Sequence, residues 1–72
     1  MTFDESETVF FDDNYKGGHM IQIDQEPNDG YCNKFYIIVK APDGSTLYDG
    51  SWGEFDNTLE QAIEEAECGS QI

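Results

Sequence analysis

Carboxylates are by far the most numerous ionisable side chains in this chain. Its 72 residues include 16 aspartates and glutamates but only three lysines, and no arginine. Carboxylates can bind cations, transfer protons, or occupy the places on lysine and arginine side chains that phosphates otherwise take. The formal net charge of −13 at pH 7 opposes folding through self-repulsion. We therefore expect these acids to serve a basic partner.

One group of acids is spaced for a single helix face. Glu60, Glu64 and Glu67 stand at positions i, i+4 and i+7, and Glu65 flanks them. The step from i to i+4 along a helix is roughly 6 Å, which lets a glutamate ladder imitate a row of phosphates. The alternative is a solvated helix face, which usually includes lysine or arginine paired with glutamate. No such cation follows Lys40 in the sequence.

A second group of acids precedes and enters a predicted turn. Asp24, Glu26 and Asp29 are close in sequence, and alternate residues of a strand lie ~6.6 Å apart, again near phosphate spacing. A calcium loop is the rival interpretation, because residues 24–28 resemble the start of an EF-hand. Asp29 stands where that loop needs glycine, and Phe35 stands where it needs a bidentate glutamate. We therefore expect no metal site.

Other reactive side chains are few. Cys32, Cys68 and His19 are too few for a zinc site, and Cys32 falls on the strand face that a helix should not cover, so we expect two free thiols. No pair of carboxylates is singled out as acid and base. A domain of this size rarely encloses a pocket of ~300 Å³ or more. We expect a protein that is not an enzyme and binds no cofactor.

The strand and helix patterns of the sequence predict an α+β domain that positions the acids. It has a four-stranded antiparallel sheet and one C-terminal helix packed on one face. Alternating apolar residues predict strands over about 7–12, 19–25, 31–41 and 45–49. Turn residues at 26–30 and 42–44 separate the later strands, and 49–53 is predicted to be a loop. The chain forms one small domain, 1–72.

The helix is predicted over about 58–68. Thr58 and Gln61 fit a capping box, and Gly69 is expected to cap the C-terminal end. An apolar stripe at helical spacing should face the sheet, and it comprises Leu59, Ala62, Ile63 and Ala66.

The faces of the longest strand differ. Phe35, Ile37 and Val39 occupy the more apolar face, which we expect to meet the core, whereas Tyr36 and Ile38 lie on a face that has no helix to cover it. Tyr15, Tyr36 and Tyr48 are candidate interface anchors, because tyrosine concentrates binding energy. The residues expected to build the core are Phe10, Phe11, Phe35, Leu47, Trp52 and Phe55.

Charge and hydropathy exclude two kinds of partner. Direct binding to DNA or RNA needs lysine and arginine against phosphates, and Lys16, Lys34 and Lys40 stand alone. An anionic membrane would repel the chain for the same reason, and no apolar run approaches the ~20 residues of a membrane span. With no secretory leader visible, we expect a soluble intracellular protein. Adaptation to high salt would also explain the charge, although the composition gives it no particular support.

In charge, size and layout, the whole chain resembles small acidic phage-encoded inhibitors that imitate nucleic acid, such as many anti-CRISPR proteins, the uracil-DNA glycosylase inhibitor and anti-restriction proteins. The likeness involves no shared motif, and anti-CRISPR proteins fit best because helix-on-sheet domains of this size are common among them. It implies a stoichiometric inhibitor in the host-cell cytoplasm that blocks the groove of a basic nucleic-acid-binding protein, such as a CRISPR effector subunit. The expected contact residues are Asp24, Glu26, Asp29, Glu60, Glu64, Glu67, Tyr36 and Tyr48.

Three alternatives stay open at this point. The chain could inhibit another DNA-binding enzyme of restriction or repair, or act as an antitoxin-like module that neutralises a basic protein. It could also be an acidic domain whose partner uses the uncovered sheet face around Tyr36 and Ile38. Duplex DNA should displace a nucleic-acid mimic from its target, and should leave a module that binds elsewhere in place.

Overall fold

Four paired strands form the framework of the fold. The structure is a computed structural model, and it describes residues 7–25, 34–53 and 57–72. The sheet order β1-β2-β3-β4 follows the sequence, and each neighbouring pair is antiparallel. One helix packs on this sheet, which confirms the predicted α+β class. The elements are β1 (Glu7–Tyr15), β2 (His19–Gln25), β3 (Phe35–Lys40), β4 (Thr46–Trp52) and α1 (Leu59–Ser70).

The larger differences from the predicted strand bounds occur in β1 and β4, whereas β3 leaves out the described residues 34 and 41 of the predicted 31–41. β1 continues to Tyr15 because an irregular register between Asp12 and Tyr15 absorbs the polar residues there without a turn. β4 continues through the segment predicted to be a loop, since Gly50 pairs with Ile37 and the strand extends to Trp52. Pairing with a neighbouring strand thus overrides weak local propensity. The predicted start of β3 at 31–33 lies outside the described residues.

The core lies between α1 and one face of the sheet, and it includes the face of β3 that was predicted to meet the core. Its buried members are Ile21, Ile23, Phe35, Ile37, Val39, Ala62 and Ala66. Around these pack partly buried residues that include Phe10, Trp52, Leu59 and Ile63. Burying this contiguous apolar set is the main stabilising term for so small a domain.

The core prediction is wrong for Phe11 and Leu47, which are 56% and 37% exposed. Phe11 pairs with Gln22, on the face that lacks the helix, whereas Phe10 pairs with the buried Ile23. Leu47 lies at an irregularity in the pairing of β3 with β4, where the strand does not alternate regularly between the two faces. Phe55 lies outside the described residues.

The predicted capping box of α1 is confirmed. The Gln61 backbone N–H donates to Thr58 Oγ1 (3.2 Å), and the Thr58 N–H donates to Gln61 Oε1 (3.0 Å). These bonds satisfy two donors that the helix start would otherwise leave without partners.

The predicted role of Gly69 as a cap is wrong, because α1 runs on through Ser70 and ends at Gln71, which adopts the left-handed conformation (φ 61°). Gly69 instead permits close packing. A Cβ at this position would lie 2.6 Å from Tyr48 Cδ2, and closer still to Cε2. Glycine therefore lets the tyrosine ring of β4 lie directly against the helix.

The turn between β3 and β4 forms where the sequence predicts it. The Gly44 N–H donates to the Ala41 carbonyl (2.9 Å) and the Ala41 N–H to the Ser45 carbonyl (2.8 Å), while Gly44 adopts a φ of 93° that favours glycine. The Ser45 N–H also donates to Asp43 Oδ1 (2.9 Å), which lowers the pKa of the Asp43 carboxyl.

Candidate partner-binding surfaces

Most acids in the described part of the chain have no cation beside them. Within the described residues 7–25, 34–53 and 57–72 there is one ion pair, which joins Lys16 Nζ to Glu67 Oε2 at 3.3 Å. Exposed acids occur on the strands, the β3–β4 turn and the helix, and they are Glu7, Asp13, Asp43, Asp49, Glu60 and Glu64. The fold therefore presents its negative charge to solvent, where it can attract a basic partner over a distance.

The predicted helix ladder divides into a free part and a bonded part. Glu60 and Glu64 are both exposed, one helical turn apart, and we call this pair the helix surface. Glu67 is only partly exposed and accepts a hydrogen bond from the Tyr15 hydroxyl, in addition to its ion pair with Lys16. The hydrogen bond from Tyr15, followed by the neighbouring Lys16, holds the pKa of Glu67 below its usual value.

Two tyrosines from the edge strands hold the two sides of α1. On the β1 side, the bond to Glu67 raises the pKa of Tyr15. On the β4 side, the Tyr48 hydroxyl donates to Glu65 Oε2 at 2.9 Å, and burial together with this bond raises the pKa of Tyr48 to about 12. Tyr48, a predicted contact residue, thus has its ring and hydroxyl engaged in sheet–helix packing. The sequence gives one signal for this arrangement, since Glu65 and Glu67 flank the apolar stripe at helical spacing.

The sheet face opposite α1 presents a mixed apolar and acidic surface. Paired residues of an antiparallel sheet share a face, so the strand register defines its members. We call this set the open face. It consists of three cross-strand rows: Thr8, Asp24, Tyr36 and Ser51; Phe11, Gln22, Ile38 and Asp49; and Met20, Lys40 and Thr46.

Hydrogen bonds fix the two carboxylates of the open face. Asp24 Oδ1 accepts from Thr8 Oγ1 (2.7 Å) and from Gln22 Nε2 (3.2 Å). Asp49 accepts from the Tyr36 hydroxyl, which lies diagonally across the strand pair. Of the predicted sheet-side contact residues, the structure therefore brings Asp24 and Tyr36 onto one face, whereas Glu26 and Asp29 lie outside the described residues.

Two surface clefts lie beside β4 and the start of α1. One has a volume of about 420 Å³ and is lined by Lys34, Ser51, Trp52, Gly53 and Asn57. The other has a volume of about 290 Å³, and its lining adds Gln61, Glu64, Glu65 and the exposed thiol of Cys68. In the described ranges, no group of three histidine, cysteine, aspartate or glutamate side chains is placed to hold a metal ion. The clefts add contact area next to the helix surface.

No protein-family model, curated protein or solved structure matches this chain. Among the helices that the structure describes, none is both long and apolar enough to cross a membrane. Interpretation of the two surfaces consequently rests on their own charge, exposure and hydrogen bonding. The sequence predicts Phe11 in the core and does not single out Asp49, because the positions of both residues on the open face depend on strand register and on a bulge.

Proposed function

We propose that this protein is a stoichiometric inhibitor whose acidic surface occupies the nucleic-acid-binding groove of a basic protein. The observation that carries the proposal is the exposed charge: in the described ranges, a single ion pair accompanies acids that face solvent on the sheet, turn and helix. A net charge of −13 that the fold leaves largely unpaired is suited to a cationic partner.

The inhibitor would act by occupancy, since lysine and arginine bind carboxylates with the same donors that they offer to phosphates. Glu60 and Glu64 present two exposed carboxylates roughly 6 Å apart along α1. Steering between opposite charges should speed association and make it sensitive to salt. Nucleic acid and anionic membranes are not partners in this scheme, because both carry the same charge as the protein.

A CRISPR effector subunit is the target class that we propose to test first, because the charge, size and layout of the chain resemble those of anti-CRISPR proteins. In that setting the protein would be of phage origin and would work in the host-cell cytoplasm. DNA-binding enzymes of restriction or repair are the next class, and they would present the same kind of basic groove.

A competition experiment tests the proposal. The tagged protein is used to capture proteins from a host lysate that contains CRISPR effectors, and the beads are washed with or without excess duplex DNA. We expect capture of a nucleic-acid-binding protein that duplex DNA displaces. A captured protein that DNA does not displace would contradict occupancy of the groove.

Charge reversal tests which carboxylates make the contact. Glu60→Lys combined with Glu64→Lys should weaken binding to the captured protein by at least about tenfold, because like charges would then meet in the groove. The matched control is Glu7→Lys combined with Asp13→Lys, which changes the net charge equally at two exposed acids on β1. Equal effects of the two pairs would show that net charge, and not the helix surface, determines affinity.

A further inference from the structure

We infer that the open face is the docking surface for a protein segment that carries apolar side chains flanked by lysine or arginine. The basic character of this partner rests on the proposed function. The location of the contact on the sheet does not, because it follows from the exposure and bonding of the residues on that face.

The open face carries apolar side chains that the fold leaves accessible. Phe11 is 56% exposed although it lies inside a strand, and Gln22 separates it from the partly exposed Ile38 in the same row. Met20 and Tyr36 add partly exposed surface in the adjoining rows. The helix packs on the other face, so none of the described elements covers this row. A partner that covers this row would remove this apolar surface from water, which favours binding.

Charge complementarity selects the occupant. Asp49 lies directly across from Ile38, and Asp24 lies directly across from Tyr36, so each carboxylate neighbours an apolar or aromatic side chain. Their hydrogen bonds to Tyr36, Thr8 and Gln22 hold them in position before binding, which lowers the entropy cost of a contact. Lys40 is the one cation among the open-face residues. A segment whose apolar and basic side chains alternate at every second position would match this pattern, because alternate residues of an extended strand share a face.

A second copy of the chain is a poorer occupant. Two open faces brought together would bring their Asp24 and Asp49 carboxylates into one interface, between molecules that each carry a net charge of −13. Like charges at a desolvated contact are unfavourable, so self-association through this face should be weak at neutral pH.

A defined peptide pair provides the test. The probe is a short peptide in which arginine and leucine alternate at every second position with serine between them, so that both face the same side of an extended strand. The control peptide replaces each leucine by serine at the same length and charge. Binding to the full chain is measured by NMR titration of backbone amides at about 0.15 M salt, where the Debye length is ~8 Å. We expect the arginine–leucine peptide to shift amides in the rows of Phe11 and Tyr36, and the control peptide to bind at least about tenfold more weakly.

Substitutions locate the contact. Phe11→Ala should weaken binding of the arginine–leucine peptide by about tenfold, as expected when an aromatic contact residue is truncated. Ile38→Thr is a second variant, which keeps the β-branched shape of the strand residue and should also weaken binding of this peptide. Leu47→Ala is the matched control, since it removes an exposed apolar side chain that lies outside the three rows, and it should leave affinity unchanged.

Several outcomes would overturn the inference. Equal affinity for the two peptides, unchanged affinity in both Phe11→Ala and Ile38→Thr, or shifts centred on Glu60 and Glu64 would show that charge alone drives binding. Concentration-dependent shifts at the same amides without peptide would identify a second copy as the occupant. The peptides need no natural target, so failure of this test is distinguishable from failure of the lysate competition.

Discussion

Replacing Gly69 by alanine tests the packing of Tyr48 against the helix. A Cβ at position 69 would lie 2.6 Å from Tyr48 Cδ2, well inside the distance that two carbon atoms allow, so the ring would have to move. Overpacking of this kind costs about 1–3 kcal/mol. Displacing the ring also strains the Tyr48–Glu65 hydrogen bond, which contributes about 1 kcal/mol.

Helix propensity acts in the opposite direction. Alanine is more favourable than glycine inside a helix by at most about 1 kcal/mol, and Gly69 lies near the end of α1, where the gain is smaller. The sum predicts that Gly69→Ala destabilises the protein by about 1–3 kcal/mol. For a domain of this size each kcal/mol corresponds to roughly 4–8 °C in Tm, so thermal unfolding followed by circular dichroism resolves the effect.

The sign of the effect should reverse when the ring is absent. In a Tyr48→Val background, which keeps a good strand former on β4, Gly69→Ala should be neutral or stabilising by up to about 1 kcal/mol. Gly50→Ala is the matched control, because a Cβ there meets no atom within 4 Å. A neutral or stabilising Gly69→Ala in the presence of Tyr48 would refute the packing argument.

Three further predictions concern charge. Because the net charge of −13 destabilises the fold by self-repulsion, raising the salt from about 0.01 M to about 0.15 M should raise Tm, as the Debye length falls from ~30 Å to ~8 Å; an unchanged Tm would contradict this. The pKa of Tyr48 is raised from 10.0 to about 12, so its contribution to stability is complete below pH 10 and is lost as the pH rises to about 12. Urea unfolding across that range should show a shallower loss in Tyr48→Phe, and an identical loss would count against the assignment. The pKa of Glu67 is lowered from 4.5, so its stabilising contribution is present above that value and is lost as the pH falls below it. The stability difference between the wild type and Glu67→Gln should accordingly shrink in acid, and a difference independent of pH would exclude the Tyr15 and Lys16 contacts as its cause.

The elements with strong local patterns were predictable from the sequence. Ile21 and Ile23 on β2 alternate with less buried neighbours, as the predicted strand over 19–25 requires, and the predicted core residues of β3, Phe35, Ile37 and Val39, are all buried. The capping box at Thr58 and Gln61 is equally local. Such signals depend on residues a few positions apart, so no tertiary information is needed to read them.

The bulge in β1 explains the clearest failure of prediction. Thr8 pairs with Asp24 and Phe10 pairs with Ile23, so Val9 is the extra residue between them. One inserted residue reverses the face on which each later residue of the strand lies. Phe10 therefore lies on the core side of the sheet, and Phe11 lies on the open face. Nothing in the sequence from Glu7 to Phe11 marks where the extra residue falls.

The helix surface was predictable only in part. Helical spacing correctly places Glu60 and Glu64 together on the exposed side of α1. The contacts of Glu67 with Tyr15 and Lys16 depend on where the β1–β2 turn meets the helix. Tyr15 and Glu67 are 52 positions apart in the sequence. Contacts of such long range follow from the complete topology and not from spacing.

The edges of the sheet have a consequence for how the protein behaves at high concentration. β1 and β4 are the edge strands, and unpaired edges are templates on which other copies can add as further strands. The register irregularities in β1 and in the pairing of β4 bend the backbone away from the flat geometry that the addition of further strands needs. At neutral pH mutual repulsion adds to this protection, whereas near the isoelectric point of about 4.1 the bulges alone have to keep the molecules apart.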